Sequence, residues 1–109
     1  MIVRENVGLA EVDRASCILE LIRGARRYQT AAKQDRNPFI ALRHNGYATA
    51  LIDAAMSVST EEEVKKLTGE SMKELRKDII DLQDRHEAKV LEIAREIKKK
   101  GIKLPFEIP

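Results

Sequence analysis

The sequence has no tryptophan, a single cysteine, five glycines, three prolines and four aromatic residues among 109. Each shortage excludes something. Cys17 alone cannot close an internal disulfide, so packing must hold the fold together and the cytoplasm is the expected compartment. With so few rings, the core has to come from Leu, Ile, Val, Ala and Met. No apolar run approaches the roughly 18 residues that cross a bilayer, and the opening Met-Ile-Val-Arg-Glu-Asn lacks the pattern of a signal peptide, so no membrane partner is expected. A glycine-rich phosphate loop, a nucleophile elbow and zinc-ligand spacing are all missing. Two histidines without a Glu-x-x-His motif argue against a metal site. Neither cofactor nor enzymatic activity is expected, and Cys17, at the edge of an apolar face, reads as a small core residue.

What the chain does have is helix formers and charge, with 35% Asp, Glu, Lys and Arg. The span from Ser71 to Lys100 contains neither glycine nor proline and stops at Gly101, which predicts one helix about 45 Å long. Ser71 and Glu74 are spaced as a capping box, and Lys98, Lys99 and Lys100 face the negative pole of the macrodipole. Along this helix Met72, Leu75, Ile79, Leu82, Val90, Ile93 and Ile97 recur at three- and four-residue steps and form a stripe, widened by Ile80 and Leu91. A strict heptad would put His86 and Lys89 on the seam, so the expected packing is that of a bundle. A rod this long exceeds a compact domain of 109 residues, so a long partner helix or a second subunit has to cover the stripe. Leu75, Ile79, Leu82, His86, Val90, Ile93 and Ile97 are therefore the candidate interface. His86 reads as a packed, hydrogen-bonded histidine whose pKa falls if it is buried.

Upstream, residues 1–8 read as a loose lead-in. A helix is predicted over about 9–34, with Ala15, Ile18, Leu21, Ile22, Ala25, Tyr28 and Ala32 on one face. Asn37 and Pro38 open a second helix to Met56, with a possible break at Asn45-Gly46. Thr60 and Glu63 form another capping box for a short helix to Thr68, closed by Gly69. The tail, residues 102–109, carries two prolines and alternates Ile102, Leu104, Phe106 and Ile108, which predicts an extended segment. The expected fold is all-α: residues 1–101 form one small antiparallel helical bundle with a long C-terminal helix.

The net charge of +2 is unevenly spread. Residues 23–44 carry six basic groups against Asp35, while the segments on either side are net acidic. Arg23, Arg26, Arg27, Lys33, Arg36, Arg43 and His44 lie in sequence among Tyr28, Phe39 and Tyr47, a mixture that suits phosphate contact and base stacking. These are the candidate anion or nucleic-acid residues.

Two short stretches resemble known families. Thr60 to Gln83, through Val64, Leu67, Gly69, Ser71, Leu75, Arg76, Lys77, Asp78 and Ile79, resembles the helix-turn-helix of winged-helix repressors. That likeness implies a helix from Ser71 in a DNA major groove, contacting through Lys73, Arg76 and Lys77. Arg36-Asn37 with His44 and Tyr47 resembles the motif of HEPN ribonucleases, which are also small helical bundles. There the Arg would stabilise phosphate and the His would move protons. The leading expectation remains a non-enzymatic assembly protein that associates with itself or a protein partner. A nucleic-acid-binding regulator comes second and a ribonuclease last.

Overall fold

The computed structural model describes residues 2–101, with side chains from Asp13 onward. Four helices make an all-α antiparallel bundle with a long C-terminal helix: α1 (Ile2–Gln34), α2 (Pro38–Val58), α3 (Glu61–Thr68) and α4 (Met72–Lys99). The expected tail lies outside the described residues.

The helix ends follow from local chemistry. Asn37 Oδ1 accepts from the Phe39 and Ile40 amides, and Pro38 occupies the first turn, where its missing N–H costs nothing. Thr60 and Glu63 complete a reciprocal capping box, and Gly69 closes α3 at φ 74°, a left-handed value that favours glycine. Ser71 caps α4 by accepting from the Glu74 amide, and Gly101 turns the chain away at φ 77°. Two boundaries differ from expectation. α1 begins at Ile2, because a lone Gly8 costs a helix only about 1 kcal/mol. α2 runs unbroken through Asn45-Gly46, since Asn45 is buried and engaged on the bundle's inner side.

α1 and α2 form a hairpin around Asp35-Arg36-Asn37, and α4 lies antiparallel along α2. The register shows in the pairs Ser59–Met72, Asp53–Arg76, Thr49–Gln83 and Asn45–His86. The core combines Ile18, Ile22 and Ala25 of α1 with Ala48, Ile52 and Ala55 of α2, Val64 of α3, and Met72, Leu75 and Ile79 of α4. Burying each large aliphatic side chain stabilises the fold by about 1.5–3 kcal/mol. α1 and α2 approach closely at Gly24, where a Cβ would come within 2.9 Å of Leu51 Cδ1. Cys17 is exposed, not a core residue: it falls one position before Ile18 and so about 100° away from the buried face.

The molecule is elongated. Its radius of gyration is 18.9 Å and its extents are 71 × 30 × 19 Å, against about 13 Å for the radius of a compact domain of this size. The shape follows from the offset of the long helices. Arg14 of α1 stands level with Val58, the end of α2, so the first three turns of α1 run past the body.

Candidate functional site

The long stripe of α4 divides in two. Met72, Leu75, Ile79 and Leu82 are buried against the chain's own helices, so these positions have no surface left for a second chain. His86, Val90, Ile93 and Ile97 remain partly exposed, and Leu91 beside them is 54% exposed. Of the candidate interface residues, only this distal group stays accessible.

Where the two halves meet, a polar cluster sits on the seam. His86 Nδ1 donates to Asn45 Oδ1, and the fully buried Asn45 uses its Nδ2 to reach the Ile79 carbonyl at 3.5 Å. The Thr49 hydroxyl donates to Gln83 Oε1 at 2.7 Å. Burial holds the His86 pKa below its ordinary value, the neighbouring Arg85 cation adds to the effect, and Asp35 works against it. One residue before Asn45 on α2, His44 Nδ1 donates to Asp35 Oδ2 at 2.6 Å. The His44 ring lies 5.8 Å from Tyr28 and 6.3 Å from Tyr47, and the two tyrosines meet edge-on at 5.1 Å. Both histidines and both tyrosines therefore gather at the end of the bundle near the α1–α2 turn. In the sequence Asn45 stands at an expected break and Asp35 is a lone acid in a basic block, yet each becomes a partner. No local signal marks either, because both contacts depend on how α2 packs.

The basic block does not form one surface. Arg23, Arg26 and Arg27 share an outer face of α1, where Arg26 binds Glu70 at 2.7 Å and Arg23 stands 3.5 Å from Glu20. Tyr28 turns about 200° from Arg26 around the helix, onto the α1–α2 seam. Lys33 is exposed near the end of α1, Arg36 on the turn and Arg43 on α2. Charge and rings that alternate in sequence thus separate in space.

The segment resembling a helix-turn-helix has its α4 end already occupied. Both Glu61 carboxylate oxygens accept backbone amides at 3.0 Å, from Met72 and Lys73. The Ser71 hydroxyl bond is the largest cause that lowers the Glu61 pKa, followed by those two amides. A carboxylate therefore sits where a helix N-terminus would otherwise receive phosphate. Arg76 Nε is bound to Asp53 at 2.8 Å, while Lys73 and Lys77 are exposed. In the HEPN-like stretch, Asn37 serves as the α2 cap, Arg36 is exposed, and Asp35 is the residue seen on His44.

A third region lies between α1 and α3. Arg14 donates through both terminal nitrogens to the Glu63 carboxylate and, at 2.7 Å, to the Val58 carbonyl, so one guanidinium ties α1 to the end of α2 and to the α3 box. The Arg14 bond holds the Glu63 pKa down at about 2. Beside this clasp, a depression of about 260 Å³ is lined by Ala15, Ile18, Lys66 and Leu67. A second, of about 300 Å³, continues along Leu19, Ile22, Arg23, Leu67 and Glu70. Among the described residues no group of three His, Cys, Asp or Glu side chains is placed to hold a metal ion, and no helix is long and apolar enough to cross a membrane. Compared with protein-family models, curated proteins and solved structures, the chain matches none of them.

Proposed function

We propose that the protein is a non-enzymatic assembly module that self-associates through the distal half of α4. One observation carries this reading: a single uninterrupted helix buries its stripe as far as Leu82 and leaves Val90, Leu91, Ile93 and Ile97 partly in water. Helices of soluble proteins seldom leave such a row uncovered without a partner. The occupant that this row suits is an antiparallel second copy. A two-fold axis between Leu91 and Glu92 sets Val90 of each α4 opposite Ile93 of the other and His86 opposite Ile97, so the row meets its own image.

Light scattering on a size-exclusion column tests this. The expected mass is twice that of the 12.4 kDa chain. Changing Ile93→Glu together with Ile97→Glu should return the single-chain mass with unaltered helical circular dichroism. A wild-type chain that stays monomeric at the highest attainable concentration overturns the reading.

A further inference from the structure

Three open depressions lie end to end along the outer side of α1. The first two share Leu67, and the second and third share Arg23 and Arg26. The third, of about 450 Å³, runs on past Arg27 and Thr30 to Gln34. Together they form a trough from Arg14 to Gln34, about 30 Å long at 1.5 Å per residue, walled by both α1 and α3 over its first two parts and lying on α1 alone over the third. Its floor is aliphatic where α1 meets α3, through the half-buried Ala15 and Leu19 and through Leu67, which is 40% exposed. Its rim carries Arg14, Arg23, Arg26, Arg27 and Lys66, of which Arg14, Arg23 and Arg26 are paired with Glu63, Glu20 and Glu70. The rim therefore stays net positive even though two carboxylates line it.

We infer that this trough docks an acidic amphipathic helix of a partner protein. A helix of about 20 residues matches its length. Laid in the trough, such a helix sets its apolar edge on Leu19 and Leu67 and its carboxylates against Arg23, Arg27 and Lys66, the helix-in-groove mode of recognition. A nucleic acid fits less well. Tyr28, Tyr47 and Phe39 lie outside the trough's lining, so it offers bases no stacking platform, and a continuous phosphate chain would meet Glu63 and Glu70 in the wall. An amphipathic helix avoids that repulsion, because its residue types change around its circumference.

The test uses the full chain and three fluorescein-labelled peptides of about 20 residues, the trough's length. One has a leucine stripe flanked by glutamates, one the same stripe flanked by lysines, and one the scrambled glutamate sequence. By fluorescence anisotropy the glutamate helix should bind at least about tenfold tighter than the other two. Leu67→Glu, and separately Arg23→Glu with Arg27→Glu, should each weaken it by about tenfold or more, as expected where a central anchor or a rim charge is removed. Leu67→Ala, which disturbs the surface less, should shift affinity the same way. Ile93→Glu should leave binding unchanged, which separates this result from the fate of α4 self-association. Equal or tighter binding of the lysine helix overturns the inference, as does indifference to Leu67→Glu. Tighter binding of single-stranded DNA to the same face would assign it to nucleic acid instead. Loss of the dimer on Leu67→Glu would assign it to a second copy of the chain.

Discussion

The two halves of α4 are alike in composition and opposite in surroundings. From Met72 to Leu82 the apolar stripe meets α1, α2 and α3 and disappears from solvent. From His86 to Ile97 the same periodicity continues, yet no stripe residue reaches full burial. What differs is how many neighbours each half has. The α3 segment returns the chain beside the start of α4, whereas the distal half follows the first turns of α2 and then outruns that helix's start at Pro38. A hydrophobic stripe reports only what wants covering. What covers it is set by where other elements end.

The largest effect should come from treating the halves identically. Ile79→Ala empties a fully buried site and should lower the stability found by urea unfolding by about 2–5 kcal/mol. Ile93→Ala in a chain kept monomeric should cost less, about 1 kcal/mol, because that side chain is already partly in water. Equal losses would erase the distinction between the halves. Next, Asn45→Ala at their junction strips His86 and the Ile79 carbonyl of a partner, and should cost about 1–3 kcal/mol in the same assay.

A smaller effect sharpens the comparison by concentration. If the distal stripe is covered by a second copy, the melting temperature rises with protein concentration, and Ile93→Glu abolishes that dependence. Acidity probes the junction again. Because the folded chain holds the His86 pKa below 6.5, the unfolded chain takes up the proton first. Stability is therefore flat above about pH 6.5 and declines as pH falls through the window beneath it, until folded His86 is protonated too. Urea midpoints followed from about pH 7.5 to about pH 5.5 should show this decline, with a shallower slope in His86→Gln. The smallest change is expected at the other end of the bundle. Arg14→Gln unties an exposed clasp and should lower the melting temperature slightly, with most of the difference gone at high salt.

Much of the fold was legible because its signals are local. Asn37-Pro38, Thr60 with Glu63, Gly69, Ser71 and Gly101 act within one turn of where they sit, and the helix ends fall on them. The site was less legible, for a geometric reason. Arg26 and Tyr28 are two residues apart in sequence yet face opposite ways round α1. Arg23 and Arg43 are separated by a hairpin that sends them to different helices. Asp35 meets His44 only because that hairpin closes. Gln29 and Asn45 are buried although polar, at positions an apolar count skips over. Glu61 caps α4 from eleven residues upstream, beyond the reach of any local motif.

Asn45 settles a question that oil leaves open. Aliphatic rows grip one another almost equally well at several offsets, so α4 alone would tolerate sliding by a turn along α2. An amide sealed in the seam tolerates only one position, because any other strands its oxygen and nitrogen in a dry place. Its bonds to His86 and the Ile79 carbonyl thus work like a notch on a ruler. They fix how far α4 extends beyond its neighbours, and so how much of its far end is left facing water.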